Sequence, residues 1–264
     1  MENAMLTLTS KDNPQIKNVI KLQKSARFRR QSGLFVAEGL RVCEDAMRSG
    51  AEIDTLFLTQ AALDKNSAIC EKLCACAEKV FLLSPALFAH ISDTQTPQGV
   101  LGVIKTLDKS ALFDTIKNGG KFLALDNVQD PNNLGTILRS AEAFGVSGVV
   151  MSADCCDVLN PKVVRGSMGA VFRLPICISD DLALWLREHP QLMTCAAVVD
   201  SAAQKVTDIT FTEPCAVVIG NEGNGIRPET VQACRHRITI PMNGKAESLN
   251  ASVAAAILIW EMVK

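Results

Sequence analysis

V-V-I-G-N-E-G-N-G-I (Val217 to Ile226) and I-P-M-N-G-K-A-E-S-L-N-A-S-V-A-A-A-I (Ile240 to Ile257) decide how this chain is read. Each opens as an apolar, strand-like run and stops abruptly in glycine, asparagine and small polar residues. That is the pattern of a strand delivering a loop to a site, and a pair of such loops ordinarily encloses a ligand. The first has three glycines spaced G-x-x-G-x-G, which permit positive φ and close backbone approach. This spacing departs from G-x-G-x-x-G, and no G-x-x-x-x-G-K-[ST] occurs, which argues against a Rossmann dinucleotide site or an NTPase phosphate loop. Glu222 stands between two flexible residues where a plain turn would prefer Asn or Asp.

In the second segment Pro241 ends a strand, Gly244 and Lys245 turn the chain, and Ser248 and Asn250 stand at the start of an alanine-rich helix. Small residues at Ala251, Ser252, Ala254, Ala255 and Ala256 let that helix approach another backbone closely. Its first turn offers unpaired N–H groups and a partial positive charge, and Ser248 reads equally well as a simple N-cap.

Further out lies N-V-Q-D-P-N-N-L-G-T-I-L-R-S-A-E-A-F-G-V (Asn127 to Val146). Asn132 or Asn133 would cap a helix carrying Arg139, just beyond the C-terminal end of a strand, where open α/β sheets bind ligands. Alone, Arg139 reads as an ordinary exposed charge. Strands at Phe122 to Val128, Gly148 to Ser152, Pro175 to Ile178, Met193 to Val199, Ala216 to Ile219 and Arg237 to Pro241 mostly alternate with helical stretches. They predict an α/β domain with a mostly parallel sheet covered on both faces. A smaller α/β pattern precedes it, with F-V-A-E-G (Phe35 to Gly39), a strand at Ile53 to Thr59 and T-P-Q-G-V-L-G-V-I-K (Thr96 to Lys105). The expected division is a domain over 1–107, a linker over 108–120 and a second domain over 121–264.

At 264 residues the chain can bury two modest cores. Its formal charge of −1 excludes a globally basic polyanion binder and confines any nucleic-acid surface to a local patch. Such a patch is visible from Asn13 to Ala37, which has no acidic residue but carries Lys17, Lys21, Lys24, Arg27, Arg29 and Arg30. Ile16, Val19, Ile20 and Leu22 recur among them at helical spacing, so the segment reads as an amphipathic basic helix followed by a basic turn. It is either a solvated face or a phosphate-contacting arm. Ten cysteines scattered through regular elements read as reduced thiols, and their spacing, with only three histidines, implies no metal site. No apolar run is long enough to span a bilayer, and no signal-like N-terminus is seen, so a cytoplasmic soluble protein is expected.

Taken in order, the three segments resemble motifs one, two and three of the SpoU/TrmH branch of the SPOUT superfamily, RNA ribose 2′-O-methyltransferases that use S-adenosylmethionine. The likeness covers about Lys121 to Lys264. The N-terminal part is similar to the substrate-binding domain of ribosomal-protein L30e/L7Ae type found in members acting on ribosomal RNA. The resemblance implies a trefoil-knotted catalytic domain, a homodimer, no metal, and a cofactor held largely by main-chain groups at Gly220, Ile240 and Leu249, with Asn221 and Met242 beside them. It sets the catalytic residues on Asn133, Arg139, Glu222, Ser248 and Asn250, with Glu222 and Asn133 orienting Arg139. RNA would meet the basic run from Lys17 to Arg30, extended by Lys162 and Arg165. The implied substrate is 23S ribosomal RNA; transfer RNA, or a silent RNA-binding knot protein, are the alternatives.

Overall fold

The structure is a computed structural model that describes residues 5–106, 116 and 119–264. Most of the linker expected over 108–120 lies outside the described residues. Two compact units emerge, one built from the described residues up to 106 together with 159–172, the other from 116, 119–158 and 173–264.

In the first unit the elements are β1 (Leu6–Leu8), α1 (Pro14–Lys24), α2 (Ala26–Ser32), β2 (Leu34–Glu38), α3 (Leu40–Arg48), β3 (Ile53–Thr59), α4 (Gln60–Lys65), α5 (Ser67–Cys76), β4 (Ala77–Leu83), α6 (Pro85–Ile91) and β5 (Val100–Lys105). The strands form one mixed sheet in the order β1-β4-β3-β5-β2. The Asn13 side chain caps α1 by accepting from the Gln15 N–H, and Pro14 occupies the first turn, where a missing N–H costs nothing. Ile16, Val19 and Leu22 then fall on one face and are buried against Val36, Phe57, Phe88 and Ile91. Each such side chain contributes about 1.5–3 kcal/mol on burial. The expected basic turn is instead a second helix: Ser25 ends α1, its hydroxyl accepts from Phe28 N–H to start α2, and Gly33 closes α2 in the left-handed conformation. Two helices from farther along the chain, α8 (Pro161–Gly166) and α9 (Ala170–Arg173), supply the rest of the unit, with Phe172 stacked on Phe35 at 5.9 Å.

The second unit holds β6 (Lys121–Leu125), α7 (Pro131–Ala143), β7 (Gly148–Ser152), β8 (Ile176–Ser179), α10 (Leu182–Glu188), β9 (Met193–Ala197), β10 (Gln204–Lys205), β11 (Cys215–Ile219), α11 (Pro228–Ala233), β12 (His236–Thr239) and α12 (Ala251–Val263). Its seven strands are all parallel, in the order β10-β12-β9-β11-β6-β7-β8. The near-continuous apolar sequences of β6, β7 and β11 follow from burial on both faces of the sheet. From β6 the chain builds outward through β7 and β8, then crosses to place β9 and β11 on the other side. β6 and β11 therefore lie side by side at the point where strand order reverses, ending in register with Ile219 opposite Leu125. That is where an open parallel sheet leaves a crevice.

Candidate active site

Two loops leave the adjacent ends of β6 and β11 and are laced together. The second loop folds back at once: Asn221 and Gly225 exchange N–H···O bonds of 2.9 and 3.0 Å. A Cβ on Gly220 would lie 2.2 Å from the Gly225 carbonyl carbon, so only glycine allows the return strand to pass over it. Inside the loop Asn221 Oδ1 accepts from the N–H groups of Gly223 (2.9 Å) and Asn224 (3.0 Å), while its Nδ2 donates to the Asn127 carbonyl at 2.8 Å. Asn127 takes positive φ (57°), a conformation asparagine tolerates better than most side chains.

Glu222 ties the same loop to the start of α7. Its carboxylate accepts from the N–H groups of Gln129 and Asp130, both at 3.2 Å, and from Asn133 Nδ2 at 3.0 Å. Partial burial pushes this carboxyl up. The bonds from Asn133, from its own N–H and from Gln129 and Asp130 more than offset that, and hold it below its ordinary value. Asn133, buried at 6% exposure, spends its other end on the third segment, its Oδ1 accepting from Asn250 Nδ2 at 2.9 Å. One asparagine thus joins all three segments.

The caps differ from those expected. Asp130, with Pro131 in the first turn, caps α7 by accepting from the Asn132 N–H, which frees Asn133 for Glu222 and Asn250. Asn250 caps α12, its Oδ1 accepting from Ser252 and Val253 N–H groups, so Ser248 lies two residues outside the helix, exposed. Neither Glu222 nor Asn133 bonds to Arg139. Arg139 sits on the solvent stripe of α7 with Asn132 and Thr136, and among the described residues its side chain makes no hydrogen bond or ion pair. Glu222 is already occupied by its three donors.

Residues 240–249 make no intramolecular hydrogen bond among the described residues, and most of them are exposed. Their main-chain groups, including those of Ile240, Met242 and Leu249, remain available to a ligand. The neighbouring thiols offer no nucleophile: burial pushes Cys156 up to about 12 and also raises Cys155, which bonds to the Leu125 carbonyl. Among the described residues no cluster of His, Cys, Asp and Glu could hold a metal ion, and no helix is long and apolar enough to cross a membrane.

A contact that the sequence reading missed anchors the far end of the second loop. Asp126 is fully buried at the end of β6; its carboxylate accepts from the Arg227 backbone N–H (2.9 Å) and Nε (2.8 Å), and Arg227 also reaches Asp154 at 3.3 Å. Hydrogen bonding to Asp126 raises the already high pKa of Arg227 further. The signal was a carboxylate ending the apolar run F-L-A-L-D, a residue that burial tolerates only with a partner.

Elsewhere, in the first unit, Lys17, Lys21, Lys24, Arg27 and Arg30 are exposed on α1 and α2, Lys17 paired with Asp12 at 2.8 Å and Lys21 over the Phe28 ring at 5.8 Å. Arg29 departs from the expected basic patch. It is 3% exposed and donates to the carbonyls of Leu22 and Gln23 (3.2 Å to the latter), satisfying acceptors at the end of α1. Lys162 is exposed on α8, and Arg165 lies 3.5 Å from Asp93.

Comparison with known proteins adds an independent reading. The family model described as SpoU rRNA Methylase family matches residues 120–260, and that of an MRM3-like substrate binding domain matches residues 13–102. An uncharacterized tRNA/rRNA methyltransferase of Synechocystis sp. is 32% identical over 97% of this chain and 92% of its own length. A Bacillus subtilis 23S rRNA (guanosine(2553)-2′-O)-methyltransferase is 28% identical over 98% of this chain and 99% of its own. Among solved structures, an AdoMet-bound rRNA methyltransferase from Sinorhizobium meliloti superposes with a TM-score of 0.84 at 28% identity, covering 98% of this chain and 97% of that one.

Proposed function

The chain belongs to the SpoU rRNA Methylase family, S-adenosylmethionine-dependent RNA methyltransferases, and from that premise we propose that it methylates a ribose 2′-hydroxyl of 23S ribosomal RNA. The observation that carries the proposal is the Glu222–Asn133–Asn250 chain of side-chain bonds, which brings three distant segments to one end of the parallel sheet. The residues fit the cofactor. The loop folded over Gly220 and the unspent main chain of 240–249 suit an adenosyl group recognised through backbone donors and acceptors, with Asn221, Ile240, Met242 and Leu249 as its neighbours.

S-adenosylmethionine supplies a sulfonium methyl to in-line attack by the sugar oxygen. An alcohol is a weak nucleophile near neutral pH, so the chain's residues must align it and stabilise its developing negative charge. Arg139, exposed and without a side-chain partner among the described residues, has its five donors free to grip the phosphate beside the target ribose and face the emerging oxyanion. A guanidinium keeps its proton, and an electrostatic role suits it better than that of a base. Glu222, Asn133 and Asn250 hold the loops in register, and Ser248, two residues ahead of the α12 cap, positions the hydroxyl or the cofactor's carboxylate.

The same reading extends to a trefoil knot around the cofactor loops, a cytoplasmic location and a homodimer. Dimerisation is supported by an exposed apolar stripe along α12 with Val253 and Trp260, 49% and 53% exposed, and by Phe144, at the C-terminal cap of α7, packed edge-on to Trp260 at 5.6 Å. Water-exposed rings of that size are what a second copy would cover. Mapping 2′-O-methyl marks in RNA from cells with and without the gene tests the function, with calorimetry against S-adenosylhomocysteine alongside. Loss of one 23S mark and tight binding are expected. Marks lost from transfer RNA alone would move the substrate, and absence of binding would leave a silent RNA-binding protein.

A further inference from the structure

The first unit contains a cavity of about 340 Å³ walled by α1, the end of α6 with the residues after it, and the start of α8. Lys24 stands on one wall and Lys162 on another, with His90 and Asn160 between them. Both lysines are exposed, and among the described residues neither has an acidic partner, whereas Lys17 on the same helix is paired with Asp12. The amide of Asn160 is half spent: its Oδ1 caps α8 by accepting from the Lys162 N–H, and its Nδ2 makes no bond among the described residues. Next to the cavity, Arg165 Nη1 is buried yet has no hydrogen-bond partner, and its nearest acid, Asp93, is 3.5 Å away. A buried guanidinium N–H without an acceptor is costly and rare in a finished structure.

Asp93 is also the cavity's one carboxylate. Its backbone is fixed, since the Asp93 N–H donates to Glu38 at 2.8 Å, and Glu38 also accepts from Thr94 Oγ1 at 2.8 Å and from Ser92. The acid is therefore held beside Arg165 rather than drawn there by chance. The site offers donors from three segments far apart in sequence, converging on a hollow with a single competing negative charge.

We propose that this cavity is a phosphate-binding seat for the backbone of folded RNA, in which Lys24 and Lys162 grip one phosphodiester from opposite walls and Asp93 weakens the grip by holding Arg165. The inference rests on the RNA-methyltransferase reading and adds where, on the substrate-binding unit, the RNA chain is held. Phosphate contacts of this kind set affinity and orientation without reading sequence. They also release counterions, which gives the seat a signature that a merely structural lysine lacks.

The test measures binding of the full-length protein to a 23S fragment that it methylates, across a salt series. Lys24→Gln and Lys162→Gln should each weaken binding several-fold, each with a slope loss smaller than one phosphate's share because the other lysine still holds the phosphate. The double variant should lose the whole share of that one phosphate, roughly 0.7–0.9, and not twice that. Asp93→Asn should act in the opposite sense and tighten binding, a result that a folding defect would not give. Lys65→Gln, at a different cavity of the unit, serves as the control and should change neither quantity. Unchanged affinity and slope in the double variant, with wild-type methylation intact, would overturn the seat alone. Failure of the wild type to methylate any RNA while folded would overturn the enzymatic reading beneath it.

Discussion

The two units spend their polar groups in opposite ways. Where the loops after β6 and β11 are laced together, the side chains that join them are committed: Asp126 to Arg227, Asn221 to Asn127, Glu222 to the start of α7, Asn133 to both Glu222 and Asn250. On α1, α2 and α8 the cations Lys24, Arg30 and Lys162 stand exposed and unpaired among the described residues. The first arrangement fixes geometry before a ligand arrives, as group transfer requires. The second leaves charge adaptable, as recognition of a flexible polyanion requires. Arg139 is the exception that relates them, an uncommitted cation on the committed unit.

Breaking the most committed contact should give the largest effect. Arg227→Met leaves the buried Asp126 carboxylate without its cationic partner and with only the main-chain N–H of residue 227, which costs about 3–5 kcal/mol. A matching fall in the urea unfolding midpoint of the second unit is expected. If Arg227→Met and Asp126→Asn were both neutral, the loops would not be held by this pair.

Next comes the exception. Arg139→Ala should lower single-turnover methyl transfer by roughly 10²–10³-fold, the usual consequence of losing one preorganised donor to a developing oxyanion. Because the exposed Arg139 side chain makes no hydrogen bond or ion pair among the described residues, unfolding and S-adenosylhomocysteine affinity should stay at wild-type values. Arg139→Lys should recover little of the rate, since a point charge lacks the paired donors of a guanidinium. Near-full turnover in the lysine variant would reduce the residue to its charge.

Much of this contrast was legible in the sequence, and the parts that were not share a cause. The parallel sheet, the loops after β6 and β11 and the basic α1 follow from periodicity and from clusters of glycine and asparagine, which are local signals. Which asparagine caps and which connects was not legible, because Asn132, Asn133 and Asn250 are alike in type and differ only in what lies across the site. Asp130 took the cap expected of its neighbours because Pro131 follows it. The burial of Arg29 was hidden for the same reason: beside Arg27 and Arg30 it looks like one more surface charge, and only the packing of α2 against the end of α1 turns it inward. The excursion of 159–172 into the first unit leaves no compositional mark at all, since its helices have the same apolar and basic pattern that a crossover in the second unit would have.

A moderate effect separates charge from shape at Glu222. Its carboxyl titrates lower in the folded protein than in the unfolded chain, so the stability it adds is full above pH 4.5 and is lost as pH falls through the lowered value. Cofactor affinity that depends on the loop should be flat from neutral pH down to about that point and fall only below it. Glu222→Gln, unable to accept three bonds as an anion, should bind S-adenosylhomocysteine about 5–30-fold more weakly, the equivalent of about 1–2 kcal/mol, with the acid limb of the profile gone. A variant keeping both wild-type affinity and wild-type pH dependence would show that the lacing of the two loops is incidental.

The smallest effects discriminate most finely, because they set two adjacent arginines against each other. Arg30 is exposed, so Arg30→Gln should leave stability within about 0.5 kcal/mol of wild type while lowering the salt slope of RNA binding by roughly 0.7–0.9, the share of a single phosphate. Arg29 is buried on the carbonyls that end α1, so Arg29→Gln should do the reverse, destabilising the first unit by about 1–3 kcal/mol and leaving the slope alone. Deleting the whole basic segment cannot make this distinction, since Ile16, Val19 and Leu22 would leave the core with it. If the two substitutions changed RNA binding equally, the division between committed and adaptable charge would fail within a single helix, and burial would be a poor guide to which cations of this surface meet the substrate.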